Sequence, residues 1–284
     1  MKFQFKKLLF LFPILLILAS CSRLNNLPNI KEPNQEIQEL TTISPQPFNY
    51  KKYNSILKDY VNFRGLVDYE KLKENRQQLD EFNSTIGAVS ASRYNYWKDS
   101  EKIAFLINAY NSFTLESIID NYPTKSIRNI IGVWKIRKFN FAKKKITLDH
   151  IEHQILRKEF NQPGIHVALV CAAISCPPLR QEAYTGRQLE EQLDDQAKKF
   201  LGNSQGFRID SQNKTIYLSS IFKWFGKDFE KNYGQAENIE GLNKTETAIV
   251  NYARKYVNYN AQKFLEKGSY KVKYSEYDWS LNIQ

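Results

Sequence analysis

The stretch HVALVCAAISCPPLR, residues 166–180, decides how the rest of the sequence is interpreted. Every position from Val167 to Ala173 is apolar or small, which is typical of a short strand buried on both faces. We therefore predict a strand over residues 166–173 at the centre of a small sheet. The second half of the stretch carries Cys171 and Cys176, and two prolines follow Cys176 directly.

The sequence leaves three interpretations of these cysteines open. Pro177 pushes Cys176 toward an extended backbone, and proline is favoured at the first helical position. Cys176 would then stand at the positive end of a short helical turn, where a thiol is acidified and becomes nucleophilic. A Cys171–Cys176 disulfide is chemically sound in an oxidising compartment, and inert packing is the third reading.

A nucleophilic thiol needs a base, and the sequence has three histidines. His166 can reach Cys176 only if the strand breaks near Cys171, because a straight strand rises ~3.3 Å per residue. His150 and His153 lie in a helix expected to begin at Thr147 or Asp149 and to run to residue 160. This helix is expected to lie antiparallel to the strand, which makes His153 the alternative base.

Glu152 falls within the apolar face of the same helix, so its carboxylate must be paired or protonated. It would orient a catalytic histidine or, as a purely structural pair, bind an arginine such as Arg157 or Arg180. Asn108 and Asn111 are amides on an apolar helix and also need partners. They would stabilise a catalytic group or make ordinary core hydrogen bonds.

A zinc site built from His153, His166, Cys171 and Cys176 has suitable ligand types. The spacings match no regular zinc motif, and a strand would turn His166 and Cys171 to opposite faces. We therefore predict no metal and no other cofactor.

The N-terminus predicts export. Residues 1–20 combine lysines, an apolar run and small residues, as a secretory signal does. Leu18-Ala19-Ser20-Cys21 resembles the lipobox of bacterial lipoproteins, which implies acylation of Cys21 and anchoring to a bacterial membrane. The proline-containing residues 21–48 are expected to form a flexible tether, and residues 49–284 one globular domain.

The formal net charge of +11 suits anionic partners. Besides the membrane that Cys21 would contact, we expect an anionic envelope polymer or protein as a partner. Nucleic acid is not expected, because no module of basic and aromatic residues appears.

Periodicity elsewhere predicts an α+β fold, with helices around a small, mostly antiparallel sheet. Residues 100–122 are apolar on nearly all sides and predict a buried helix, with Ser100 as its cap and Pro123 as its stop. The other predicted elements are a helix from Tyr50, a helix over 69–86, a helix to Leu201 with a Thr185–Gln188 capping box, a hairpin over 206–220, a helix over 245–257 and a strand within 270–282.

Taken together, KIAFLINAYNSFTLESII, TLDHIEHQILR, HVALVCAAISCPPLR, AYTGRQLEEQLDDQAKKFL and YDWSLN resemble the bacterial and plant family known as domain of unknown function 547. The resemblance runs from about Phe63 to the C-terminus and implies one globular domain without an established activity. The positions that match its pattern are Asn108, Tyr110, Asn111, Glu152, His153, Arg157, His166, Cys171, Ser175, Cys176 and Pro177.

A looser similarity to papain-like and transglutaminase-like folds comes from a buried helix before a strand that begins with a histidine. Those folds carry the nucleophile on the helix, where Asn108 stands here, so the similarity is incomplete.

Two functions of different classes follow from these residues. The first is a cysteine-dependent acyl-transfer or amide-hydrolysing enzyme, with Cys176 as nucleophile, His153 or His166 as base and Glu152 as orienting acid. Asn108 or Asn111 would stabilise its reacting groups. The second is a non-catalytic envelope scaffold or binding lipoprotein, in which Cys171 and Cys176 form a disulfide.

Overall fold

A computed structural model of the protein describes residues 46–235 and 238–284. The predicted signal peptide, the predicted lipidation site Cys21 and the expected tether up to residue 45 lie outside the described residues. Within the described part, the α-helices and strands follow one another in this order. They are α1 (Lys51–Tyr60), α2 (Tyr69–Glu74), α3 (Gln77–Ala88), α4 (Ala91–Tyr96), α5 (Asp99–Asp120), β1 (Phe139–Phe141), β2 (Lys144–Ile146), α6 (Arg157–Glu159), α7 (Leu189–Leu201), β3 (Phe207–Asp210), β4 (Thr215–Leu218), α8 (Ser220–Phe225), α9 (Glu230–Tyr233), α10 (Lys244–Arg254), α11 (Tyr259–Glu266) and β5 (Lys271–Tyr274).

Short helices of other types fill the connections. A π-helix, His150–Leu156, continues directly into α6. Short 3-10 helices span Ile127–Asn129, Pro163–Val167 and Gly226–Phe229. The mixture of helices with small sheets confirms the predicted α+β class.

Helix α5 forms the centre of the larger apolar core. Nearly all of its residues from Ile103 to Ile119 are buried, as its all-round apolar sequence predicts. The helix begins one residue before Ser100, with Lys98 at its cap position, so Ser100 is not the cap. It ends at Asp120, shortly before Pro123.

The predicted central strand over residues 166–173 is wrong. His166 and Val167 end a 3-10 helix, and the chain then runs irregularly through Cys176, with Ala172 in the left-handed backbone region at φ 59°. A single antiparallel bridge joins Ala173 to Leu281. An unbroken apolar run indicates burial but does not by itself specify a strand.

The amide of Asn111 explains how this segment stays buried without a sheet. Its Nδ2 donates to the carbonyl of Ala168 at 3.0 Å, and its Oδ1 accepts from the Val170 N–H at 2.9 Å. These bonds satisfy backbone groups that a neighbouring strand would otherwise pair. The Asn111 side chain on helix α5 thus makes two hydrogen bonds that the backbone of a neighbouring strand would otherwise make.

The strands lie elsewhere, in two small sheets. β1 and β2 form an antiparallel hairpin, and β3 pairs antiparallel with β4 as the sequence predicted. β5 adds to β4 in parallel, with Ile216 opposite Val272. A second apolar cluster packs β4 against α8 and α10 through Leu218, Phe222 and Tyr252.

Two predicted helices differ in their boundaries. The helix expected over residues 69–86 is divided into α2 and α3 at Asn75 and Arg76. The helix expected from Thr185 begins at Leu189, and Gln188 at its cap position makes no side-chain capping bond, so the predicted capping box is not formed.

The packed part of the chain reaches slightly into the expected tether. Phe48 is buried, and its backbone N–H donates to Oε1 of Glu101 at 2.9 Å. Among the described residues, none of the helices has the length and apolar character needed to cross a bilayer.

Candidate functional site

A pocket of about 280 Å³ brings most of the predicted site residues together. We call it the aromatic pocket, because six aromatic side chains line it and three of them are tryptophans, out of four in the chain. Its lining consists of Tyr110, Trp134, Lys135, Asp149, Glu152, His153, His166, Leu169, Cys171, Cys176, Ile221, Trp224, Phe225, Tyr277 and Trp279.

The two cysteines in this lining are joined in a disulfide, with their Cα atoms 6.2 Å apart. The Cys171 N–H donates to Sγ of Cys176 at 2.9 Å. The hydroxyl of Tyr277 donates to Sγ of Cys176 at 3.1 Å and lies 3.2 Å from Sγ of Cys171. Cys176 is therefore not a free thiol in this structure, and any nucleophilic role would first require reduction.

The predicted acidifying helix at Cys176 is wrong. Pro177 and Pro178 continue in irregular backbone, and no helical turn starts there. The Cys176 N–H instead donates to the carbonyl of Ala173 at 3.0 Å, which closes a tight turn. The aligned N–H groups of a helix N-terminus, which were expected to acidify the sulfur, are therefore missing from this segment.

His166 is hydrogen-bonded to Asp228, an acid that the sequence did not single out. Its side chain is 1% exposed, and Nε2 lies 2.8 Å from Oδ2 of Asp228. Because a carboxylate only accepts, Nε2 carries the proton. The imidazole also stacks on Phe225, with ring centroids 4.4 Å apart.

Asp228 is also bound by a guanidinium. Nε and Nη2 of Arg157 donate to its two oxygens at 2.6 and 3.0 Å. Burial raises the pKa of the Asp228 carboxyl, but the hydrogen bonds from His166 and Arg157 outweigh burial and hold that pKa well below its ordinary range. His166, Asp228 and Arg157 thus form one connected ionic network.

His153 lies at the edge of this network and is half-buried. Its Nδ1 is 3.1 Å from Nη1 of Arg157. A guanidinium can only donate, so Nδ1 accepts and Nε2 bears the proton. Nε2 is 3.8 Å from Oδ1 of Asp149, which is too long for a hydrogen bond. His150 is exposed and does not belong to the pocket lining.

Glu152 differs from Asp228 because, among the described residues, no cation forms an ion pair with it. The carboxylate is half-buried in the pocket wall. Burial first, and then the negative charge of Glu152, raise the pKa of the Tyr110 and Tyr277 phenols. The π-helix thus places an acidic group within an aromatic wall.

Asn108 and Asn111 do not line the pocket. Asn108 donates to the Tyr184 carbonyl at 2.8 Å and accepts from the Tyr184 N–H at 3.0 Å. Asn111 makes the corresponding pair of bonds to the irregular segment after His166. Each amide thus holds buried backbone through one donated and one accepted hydrogen bond.

Sequence reasoning missed Trp134, Trp224, Phe225 and Tyr277 of the pocket lining, and also Asp228, which lies outside the lining but binds His166. These residues come from separate segments that only the fold brings together. One signal was available: FKWFGKDF, residues 222–229, places an acid within a dense run of aromatics. As for metals, the described residues contain no group of three or more histidine, cysteine or acidic side chains arranged to hold an ion.

The fold and the site define an α+β domain with an aromatic, disulfide-containing pocket. Residues 94–201 match the family described as "Protein of unknown function, DUF547". The match supports this domain family for the segment that carries Glu152, His153, His166 and both pocket cysteines. Comparisons with curated proteins and with solved structures gave no match.

Proposed function

We propose that the protein is a membrane-tethered binding protein of the bacterial envelope, and that its aromatic pocket binds a small ligand without catalysing a reaction. The observation that carries this proposal is the convergence of Trp134, Trp224 and Trp279 on one cavity. Ligand sites are concave, mostly apolar and furnished with a few polar groups, as this pocket is.

Exposure of the aromatic wall supports a binding role. Trp224 is 46% exposed, and Trp134 and Trp279 are only half-buried. Leaving large apolar surface in contact with water forgoes about 25 cal/mol per Å² of burial. A ligand that covers these rings would recover part of that free energy.

The disulfide supports binding more directly than catalysis. It occupies both sulfurs, and through Tyr277 it fixes the C-terminal segment beside the irregular segment after His166. A pocket held in shape before the ligand arrives loses less conformational entropy on binding.

The membrane tether rests on Cys21. Between this residue and the described domain lie 24 residues, 22–45, which as a flexible coil would span roughly 5–6 Å × √n, or about 27 Å. A Cys21→Ala variant of the full-length chain should move from the membrane to the soluble fraction and lose incorporation of a labelled fatty acid. Continued membrane association with no label on the wild type would contradict lipid anchoring.

The distribution of the tryptophans allows a direct test of binding. The full-length chain, in a detergent without an ammonium headgroup, is titrated with sugars, amino acids, amines and carboxylates while tryptophan fluorescence is recorded. A saturable change is expected for at least one compound. It should persist in Trp97→Phe, since Trp97 lies outside the pocket, and decline in Trp224→Phe and Trp279→Phe. Equal responses in all three variants would reject the pocket as the binding site.

The second candidate function is thiol-dependent acyl transfer, because His166, held by Asp228, lines the same pocket as Cys176. Among the described residues, however, no imidazole nitrogen is hydrogen-bonded to either sulfur. An added dithiol would reduce the disulfide and itself become oxidised. The Cys176 thiolate would then attack an ester carbonyl, and a protonated histidine would return a proton to the leaving alkoxide.

This second function has its own test. The dithiol-reduced protein is mixed with p-nitrophenyl acetate, and a burst of p-nitrophenolate equal to the protein concentration is expected if Cys176 is acylated. Cys176→Ser should abolish the burst, whereas Cys171→Ser should retain it without reductant. The absence of a burst from reduced wild type would exclude the mechanism.

A further inference from the structure

The pocket wall points to the chemical class of the ligand. We infer that the aromatic pocket binds a compact organic cation, an ammonium group held between indole faces and the carboxylate of Glu152. This inference rests on the proposed binding function, and it specifies the ligand of that same pocket.

The rings form a connected cluster with Trp279 at its centre. The Trp279 ring lies 4.6 Å from Tyr277, 5.9 Å from Trp224 and 6.1 Å from Trp134, measured between centroids. Trp224 and Tyr277 are themselves 4.8 Å apart. Aromatic faces carry partial negative charge and attract cations within about 6 Å, with tryptophan the most effective.

The protein already uses this attraction at the same cluster. The guanidinium of Arg128, which is outside the pocket lining, lies 5.4 Å from the centroid of Trp279. The guanidinium of Arg157 lies 5.0 Å from Phe225 while it binds Asp228. The electrostatic environment of these rings is therefore one in which positive groups are stable.

Glu152 supplies the full negative charge that such a ligand requires. A half-buried carboxylate costs free energy unless a cation or hydrogen-bond donors compensate it. The hydroxyl of Tyr110 is one such donor to Glu152, but among the described residues no cation lies within ion-pair distance of it. The hydrogen-bond donors of the neighbouring network are already engaged: Arg157 donates to both carboxylate oxygens of Asp228, and His166 donates to one of them. Lys135 lines the pocket but is exposed, so its ammonium is solvated by water.

The volume favours a compact group. About 280 Å³ lies just below the volumes of roughly 300–1,000 Å³ that are typical of small-molecule sites. An extended polymer chain would not fit, whereas a quaternary or primary ammonium group would. Such a group is found both in free solutes and at the end of lipid headgroups.

The test compares a cation with its neutral isostere. Choline and 3,3-dimethylbutan-1-ol have nearly the same shape and differ by one positive charge. We expect choline to bind the wild-type full-length chain at least about tenfold more tightly, followed by tryptophan fluorescence and by calorimetry. Equal affinity for the two compounds would overturn the inference without any variant being needed.

A matched pair of variants locates the charge. Glu152→Gln should weaken choline binding about tenfold and leave the neutral isostere unchanged. Glu159→Gln, on the adjoining short helix but exposed and outside the pocket, should leave both affinities within about twofold. An unaltered affinity for choline in Glu152→Gln would contradict the assigned role of this carboxylate.

Two further arms separate the possible outcomes. Tighter binding of glycerophosphocholine than of choline would identify a lipid headgroup as the source of the ammonium, whereas weaker binding would identify a free solute. If a sugar or carboxylate from the panel binds but choline does not, the cation is rejected and the binding function stands. If no compound gives a saturable response, both fail.

Discussion

Asp228 and Glu152 are half-buried carboxylates that both act electrostatically on Arg157, yet their surroundings differ. Asp228 accepts hydrogen bonds from Arg157 and His166, and its charge is compensated within the protein. Glu152 faces an aromatic wall, and among the described residues it has no cationic partner within ion-pair distance. The carboxylate of Asp228 therefore stabilises the fold, whereas that of Glu152 is available to a ligand.

The largest effect should come from removing the paired carboxylate. Asp228→Ala leaves Arg157 and His166 without their acceptor, and breaking such a pair should lower the free energy of unfolding by about 2–4 kcal/mol, less than for a fully buried pair. Urea denaturation of the full-length chain measures this. Asp210→Ala is the control, because Asp210 ends β3, has no ion-pair partner among the described residues and accepts only local hydrogen bonds from Asn213, and it should cost under about 1 kcal/mol. Equal losses in the two variants would mean that the network contributes little.

Loss of the disulfide should have the next largest effect. The double variant Cys171→Ser, Cys176→Ser opens a short loop, and chain entropy alone predicts a loss of about 2 kcal/mol. The hydroxyl of Tyr277 also loses its contacts with the two sulfurs in the pocket wall. The double variant and the dithiol-reduced wild type should show the same lowered denaturation midpoint. If the dithiol left the denaturation midpoint of the wild type unchanged, the disulfide would be absent or would not stabilise the fold.

Lowering the pH should selectively remove the stability that the ionised carboxylate of Asp228 contributes. Its carboxyl has a lower pKa in the folded chain than its ordinary value of about 3.9, so its contribution is present above that value and is lost as the pH falls toward the folded pKa. Between about pH 4 and pH 2, the wild type should therefore lose more stability than Asp228→Asn, by about 1 kcal/mol. The measurement is the urea midpoint at successive pH values. Parallel curves for the two proteins would contradict the assignment of the low pKa to Asp228.

The sequence predicted the fold and the site only in part, because only features set by neighbouring residues leave a local pattern. The apolar periodicity of α5 and the turn between β3 and β4 are local signals, and both elements were confirmed. The strand over residues 166–173 was wrong because the Asn111 side chain, 57 residues before Ala168, satisfies the backbone instead of a neighbouring strand. Glu152 was recognised as an acid on an apolar face, which is a local pattern. Asp228 was not, since its partners Arg157 and His166 are distant in the sequence and meet only in the fold.

Glu152→Gln, which should strongly weaken cation binding, should have the smallest effect on stability. In Glu152→Gln the carboxylate is replaced by a neutral amide of nearly the same shape, so no charged partner is left behind and no cavity opens. The negative charge near the Tyr110 and Tyr277 phenols also disappears. We expect the free energy of unfolding to change by less than about 0.5 kcal/mol, as for an ordinary partly exposed substitution, or to rise slightly. Urea denaturation without ligand tests this, with Asp228→Asn as the contrasting variant. A loss as large as that of Asp228→Asn would show that Glu152 is also paired within the fold, and the distinction between the two carboxylates would no longer hold.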